Sequence, residues 1–187
     1  VPTTFAYTGA IQSYTVPAGI TSIQIGATGA SGGNACLNSG CSSVASGGYG
    51  ASVISTVAVT SGETISILVG QQPAVAVFGS DGCGGNGGGG TFIVRNTEDE
   101  IVVAGGGGGA SGFSGTRSEH QTGGNASLTT DGGDSISTIA ALPGSNAGGS
   151  DGLGGEARGY SGGGGGGLTA DGETNNMGST SRARGGK

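Results

Sequence analysis

The chain has 187 residues, of which 48 are glycine and 4 are proline, and 10% of its residues are charged. It lacks the Gly-X-Y period and proline content of collagen, and its few charges and mean hydropathy near zero are unlike those of disordered chains. Twelve acidic and six basic residues give a net charge of -6, which disfavours nucleic-acid partners. No apolar stretch approaches the ~20 residues of a membrane helix, so direct membrane insertion is not expected.

The length fits one domain covering residues 1–187. Short apolar runs lie mainly in residues 1–104, which we interpret as a β-rich scaffold, and glycine dominates residues 105–187. Helical periodicity is missing, so the predicted fold class is all-β. Residues 135–142 form the only later segment with enough Ile and Leu for a strand or a short turn. In chain order, the predicted strands are residues 4–8, 13–16, 20–27, 52–60, 64–69, 91–95 and 100–104.

Two hairpins are expected from these strands. The first joins residues 52–60 to residues 64–69 through the turn Ser-Gly-Glu, and the second joins residues 91–95 to residues 100–104. The run Ile-Val-Val in the last strand is apolar on both faces, which predicts a central strand. Alternation predicts these core-facing residues: Ile23, Ile25, Ala27, Val53, Val57, Val59, Ile65, Ile67 and Val69.

Uninterrupted glycine tracts occupy residues 87–90, 105–109 and 162–167. Ordering the six glycines of the last tract costs roughly 6 to 12 kcal/mol, and no side chain is buried in return. One hydrogen-bonded strand of this kind gains only about 1 kcal/mol per bond and cannot offset that cost. We therefore expect several extended tracts, mounted on the ends of the strands, to pack against each other through paired backbone groups.

Short apolar runs and glycine tracts follow one another in a distinctive order. They are YTVPAGITSI at residues 14–23, GGYGA at 47–51, LVG at 68–70, GGGGTF at 87–92, VVAGGGGG at 102–109 and SGGGGGG at 161–167. Over nearly the whole chain, this order resembles the glycine-rich extracellular module of the anaplastic lymphoma kinase and leukocyte tyrosine kinase receptors. Similar segments occur in microbial glycine-rich surface proteins and phage fibre tips.

The resemblance implies a TNF-like, jelly-roll β-sandwich whose glycine-rich insertions pack as polyglycine II helices. The receptors continue past the position matching Lys187 with a further glycine-rich pass and a closing strand. This departure leads us to expect a domain that is either incomplete or completed by a neighbour.

Cysteine usage and polar composition are typical of extracellular proteins. Cys36, Cys41 and Cys83 are disulfide candidates, and the sequence leaves all three pairings open. Asn125 begins the tripeptide Asn-Ala-Ser, so it is a candidate for N-glycosylation, and glycans are possible partners. We expect a secreted or cell-surface location.

Motifs of catalysis and of metal binding arise here from glycine density and turn chemistry. Residues 82–87 fit GxGxxG and residues 29–33 and 159–163 fit GxSxG, but no helix is predicted after them and His120 is the only histidine. Asp-Gly pairs at Asp131, Asp151 and Asp171 are explained by turns, without EF-hand spacing. We therefore expect no enzyme activity, no catalytic residue, no cofactor and no metal.

Exposed backbone is the remaining candidate for function, because an open strand edge can pair with another chain. The N-terminal segment lacks charge, which makes it the candidate assembly edge: Thr4, Phe5, Ala6, Tyr7 and Thr8. The sequence thus favours an extracellular structural subunit that assembles with itself into a surface filament or coat. Two alternatives are a ligand-binding receptor ectodomain module, suggested by the resemblance, and an adhesive tip that recognises host surfaces.

Overall fold

The computed structural model describes residues 2–36, 44–73, 82–95, 99–113, 120–128 and 164–165. Every regular element in this part of the chain is a β-strand and every pairing is antiparallel, which confirms the all-β prediction for these residues. No helix in them is long and apolar enough to cross a membrane. The strands are β1 (Gln12–Thr15), β2 (Ser22–Thr28), β3 (Ala35–Cys36), β4 (Val44–Ala45), β5 (Ser52–Ala58), β6 (Thr64–Leu68), β7 (Gly82–Gly84), β8 (Thr91–Arg95), β9 (Asp99–Ala104), β10 (Ser111–Phe113) and β11 (His120–Gln121).

Two of the sheets share one hydrophobic core. One has the order β1-β6-β8-β9 and the other consists of β2 and β5, while β3-β4 and β11-β10-β7 form two smaller sheets. Alternate residues of β2, β5 and β6 are buried or half-buried, so the predicted core faces are confirmed. The buried residues of this core are Val16, Ala27, Val59, Ile65, Ile67, Ile93, Val102 and Ala104.

The predicted hairpin between residues 52–60 and 64–69 is wrong. β5 pairs with β2, whereas β6 pairs with β1 and β8, so residues 61–63 carry the chain from one sheet to the other. An arch of this kind places the apolar faces of β5 and β6 against each other across the core, whereas a hairpin would place them side by side. Turn residues such as Ser and Gly suit either connection.

The second predicted hairpin is confirmed by the antiparallel pair β8-β9. The central position predicted for β9 is wrong for the described residues, in which β9 ends the four-stranded sheet. A register shift after Ile93 leaves Ile101 as an extra residue between two pairs. Ile101 and Val102 both contact the core as a result, which explains an apolar run that does not alternate.

The strand predicted at residues 4–8 is also wrong. Residues 2–8 pair with no strand in the described part of the chain, and the first strand begins at Gln12. The ring of Phe5 packs edge-on against Tyr14 at 6.4 Å between centroids, and Gln12 Nε2 donates to Ala6 O at 2.8 Å. Side chains thus hold this N-terminal arm, and its backbone joins no ladder.

Strand pairs continue into glycine-rich backbone without losing their register. Thr28 faces Ser52 at the end of β2-β5, and the same register resumes where Ala35 faces Ala45 in β3-β4. The pairs β8-β9 and β7-β10 are related in the same way. In both cases two antiparallel strands lead into two glycine-rich segments, which lead into a second strand pair in the same register. The glycine tracts are therefore attached to strand ends, as expected from the sequence.

The arch at residues 61–63 lies beside a second one, residues 16–21 between β1 and β2, at the end of the core away from the glycine-rich backbone. Gly62 N–H donates to Val16 O, and Val16 N–H donates to Glu63 O, at 2.9 and 2.8 Å. The Glu63 carboxylate accepts the Thr60 backbone N–H at 2.8 Å and forms an ion pair with Arg95 of β8. The Thr60 hydrogen bond, with the Arg95 guanidinium, lowers the pKa of Glu63 below its ordinary value of 4.5.

A carboxyl whose pKa is lower in the folded state stabilises the fold above its unfolded pKa, and this contribution is lost as pH falls through the folded value. We expect acidification from pH 5 to pH 2 to lower the melting temperature more in the wild type than in Glu63→Gln. The other carboxylates are common to both proteins and cancel in the comparison. A difference between the two melting temperatures that stays constant over this range would contradict the role of Glu63.

Candidate functional site

Five glycine-rich segments lie side by side beyond the strand ends, and we call them passes 1 to 5: residues 29–34, 46–51, 85–90, 105–110 and 123–126. Backbone N–H groups of one pass donate to C=O groups of another at 2.7–3.0 Å. Pass 4 is central, because it bonds to each of the other four. Its bonds are Gly107 N–H to Ala30 O, Ala110 N–H to Gly33 O, Gly48 N–H to Gly108 O, Ala51 N–H to Gly105 O, Gly85 N–H to Ala110 O, Gly88 N–H to Gly107 O and Gly108 N–H to Gly124 O.

Residues three apart in a pass bond to the same neighbour. In pass 1, Gly29 and Gly32 donate to pass 2, whereas Ala30 and Gly33 donate to pass 3. A β-strand would present alternate residues to each side, with a period of two. The period of three directs backbone groups to more than two neighbours, so the passes pack as a bundle and not as a flat sheet.

Close approach of backbone is what requires glycine in the passes. A Cβ on Gly107 would lie 2.1 Å from Gly48 O, and a Cβ on Gly48 would lie 1.9 Å from Gly124 O. The described glycines with positive φ are Gly9, Gly19 and Gly62, all outside the passes. Glycines whose Cβ would lie 1.9 to 2.3 Å from a backbone oxygen are Gly29, Gly32, Gly47, Gly48, Gly50, Gly70, Gly85, Gly88, Gly106, Gly107, Gly109, Gly123 and Gly165.

The glycosylation candidate Asn125 has a structural contact that the sequence did not reveal. Its Oδ1 accepts the Tyr49 N–H at 2.8 Å, and Ala126 N–H donates to Tyr49 O at 2.8 Å. This clasp joins pass 5 to pass 2 across a long sequence separation, so no local spacing could have indicated it. Asn125 is exposed, and the clasp uses Oδ1, whereas a glycan would be carried by Nδ2.

The cysteine candidates are only partly placed. The backbone of Cys36 lies in β3 and that of Cys83 in β7, and these two strands contact each other. Cys41 lies outside the described residues, as do the Asp-Gly turns and residues 135–142. The pairing of the three cysteines therefore stays a prediction.

Two of the three motif matches fall on extended backbone, and the third, at residues 159–163, lies outside the described residues. The GxSxG match at residues 29–33 lies in pass 1, and the GxGxxG match at residues 82–87 runs from β7 into pass 3. Neither is followed by a helix in the described part of the chain, so neither has the context of a nucleophile elbow or a dinucleotide site. The described residues contain no group of three or more His, Cys, Asp or Glu side chains that could hold a metal ion.

The described surface is almost without charge. No Asp, Glu, Lys, Arg or His occurs before Glu63, so the arm, β1, β2 and β5 carry none. The outer face of β2-β5 is uncharged and carries Ile54, which is 74% exposed beside Gly26. Natural edge strands are usually protected by charge or proline, and β2 has neither.

A groove of about 520 Å³ lies along β2. Its floor is apolar and consists of core side chains from β2, β6 and β8, including Ile25, Ile67 and Ile93. Residues 2–5 of the N-terminal arm also line it, and Phe5 packs against the core. The core is therefore open on the side where β2 has no neighbouring strand in the described residues.

No protein-family model matches the chain, and no curated protein sequence is significantly similar to it.

Adding one methyl group tests the steric requirement in pass 4. We expect Gly107→Ala to destabilise the fold by about 3 kcal/mol, or roughly 6 to 12 °C in melting temperature, because its Cβ must displace the Gly48 carbonyl. Gly105→Ala is the matched control, since its Cβ would meet nothing closer than Ala126 Cβ at 3.8 Å. Equal effects of the two substitutions in thermal unfolding would contradict close backbone packing.

Two substitutions at Asn125 distinguish a structural role of its side chain from an effect of an attached glycan. Asn125→Ala removes the acceptor of the Tyr49 N–H and should cost about 1 kcal/mol in unfolding experiments. Asn125→Asp keeps an acceptor at the same place and should stay close to the wild type. Both substitutions abolish the glycosylation motif, so a similar loss in the two variants would assign the effect to a glycan.

Proposed function

We propose that this protein is an extracellular structural protein, a self-assembling subunit of a surface filament or coat. The observation that carries the proposal is an edge of β2 that no described residue covers, beside an apolar groove and in a chain without charge before Glu63. Exposed backbone groups and apolar side chains together favour strand-to-strand association with another chain. Copies of the same chain are the partner, because the residues that line this edge and groove are uncharged and offer a charged ligand no electrostatic complementarity.

We further propose that the fold is a TNF-like, jelly-roll sandwich carrying a bundle of polyglycine II helices. The two sheets that face each other across one core support the sandwich. The period of three in the hydrogen bonds of pass 1 supports the polyglycine II form, which has three residues per turn. A rigid bundle of this kind suits a structural subunit, because its backbone is buried against backbone.

A receptor module and an adhesive tip remain alternatives because of the resemblance to the kinase receptors and to microbial surface proteins. Both would act by presenting loops on the glycine bundle to another molecule, and neither requires contact between copies. The oligomeric state of the purified protein therefore distinguishes these two alternatives from a structural subunit.

The full chain, produced through an oxidising secretory route, should form particles larger than the monomer as concentration rises. Sedimentation velocity should show growth from micromolar to millimolar protein, and negative-stain images should show filaments or sheets. Treatment with a calcium chelator should change neither result, since no metal is expected. A protein that stays monomeric over this range would reject the structural role and favour the receptor or tip.

A further inference from the structure

The free edge of β2 is defined by the hydrogen bonds on its other side. Gly29 N–H donates to Ala51 O and Val59 N–H donates to Thr21 O, so odd-numbered residues of this register bond to the β5 side. The N–H and C=O groups of Ser22, Gln24 and Gly26 therefore point away from β5. No described residue pairs with them, and Thr28 O accepts only the Thr91 hydroxyl, at 2.8 Å.

These unpaired groups and the apolar groove lie next to each other. Gln24, Gly26 and Thr28 line the same groove as the core side chains of β6 and β8. A lipid or another apolar ligand could cover the floor but would leave the backbone groups of β2 unpaired. An added strand satisfies both surfaces, because its backbone pairs with β2 while alternate side chains enter the groove.

The N-terminal arm, residues 2–8, has the properties of such a strand. It has seven residues, as β2 has, and it carries Thr3, Phe5 and Tyr7 in alternation. All its side chains except that of Phe5 are exposed, and its backbone pairs with no strand of its own subunit in the described residues. In its own subunit, the arm is held by the Gln12 hydrogen bond and the Tyr14 ring, and its residues 2–5 line the groove without forming a strand.

A hinge connects the arm to β1. Residues 9–10 form a bend in which Gly9 has φ of 77°, and Ile11 after it is 70% exposed. Two exposed hydrogen bonds between Thr8 Oγ1 and the Ala10 backbone span the bend, so few contacts oppose reorientation there. Short hinges of this type favour exchange of an element between subunits. Straightening at Gly9 would move the arm out of the position it has in its own subunit.

We propose that the N-terminal arm of one copy adds to the free edge of β2 in a second copy and fills its groove. The proposal rests on the self-assembly proposed above and identifies its contact. Each subunit gives one arm and receives one. In this proposal the arm passes on to the next molecule and is not exchanged back within a pair, which makes the contact head-to-tail. Repetition of this contact builds an open chain, as a filament requires.

Two full-length variants test the two sides of the contact separately: the arm that is given and the β2 edge that receives it. Phe5→Lys puts a charge on the arm residue that would enter the groove, while β2 and the β6 and β8 side chains of its groove stay unchanged. Gln24→Pro removes an N–H from the free edge of β2 that the β5 pairing does not use, and its own arm stays intact. Should Gln24→Pro fail to fold, Gln24→Lys replaces it, since a lysine at this exposed edge position blocks strand addition without disturbing the core.

Each variant alone should remain monomeric at concentrations at least tenfold above those at which the wild type assembles. An equimolar mixture should form a 1:1 dimer that does not grow, because only one arm and one groove are competent. Ala18→Lys is the control, since it adds the same charge at an exposed arch and should assemble like the wild type. Sedimentation velocity and melting temperatures provide the measurements.

The outcomes distinguish this contact from the wider proposal. Two results would overturn the arm exchange and leave self-assembly standing. One is a folded variant that assembles like the wild type. The other is a mixture that stays monomeric although both variants melt like the wild type. A wild-type protein that does not assemble would instead reject self-assembly. In that case, binding of a synthetic peptide of residues 1–8 to Phe5→Lys would still show that the groove accepts a strand, and absence of binding would overturn the contact.

Discussion

Contact between a glycine α-carbon and a neighbouring carbonyl oxygen is the constraint on which the rest of the structure depends. A Cβ on Gly29, Gly85 or Gly123 would lie about 2 Å from a backbone oxygen, which no side chain can occupy. Removing every side chain at these points lets N–H and C=O groups of five passes pair directly. Each bond contributes about 1 kcal/mol and ordering each glycine costs ~1 to 2 kcal/mol, so the bundle cannot hold itself.

The strands compensate for that deficit. Register passes unchanged from β2-β5 through passes 1 and 2 to β3-β4, so the core fixes the position of the glycine backbone at its ends. The apolar core around Ile65 therefore stabilises residues that bury no side chain of their own. Among the described residues, the same core is open along β2, where the proposed exchange of arms would complete it. Folding and assembly would then use one principle, the pairing of backbone groups where side chains are small or absent.

Sequence reasoning predicted strands and faces well where a local signal existed. Alternation in residues 20–27 and 64–69 identified the core side chains because one face of each strand is buried. It failed where the answer depended on distant partners. The turn at residues 61–63 suits a hairpin and an arch equally, and nothing in the uncharged arm indicated that side-chain contacts would replace strand pairing. The bulge at Ile101, the clasp of Asn125 and the groove along β2 depend on long-range register, which one sequence does not specify.

Amide hydrogen exchange, read residue by residue with NMR, tests the central claim most directly. The N–H groups of Gly48, Gly107 and Gly108 are bonded inside the bundle. They should exchange as slowly as the β2 amide of Ile25, whose bonds lie in the core sheet. The amide of Ala6 in the unpaired arm is the fast reference. Exchange of the three glycine amides at the rate of Ala6, while Ile25 stays protected, would contradict the packed-backbone account.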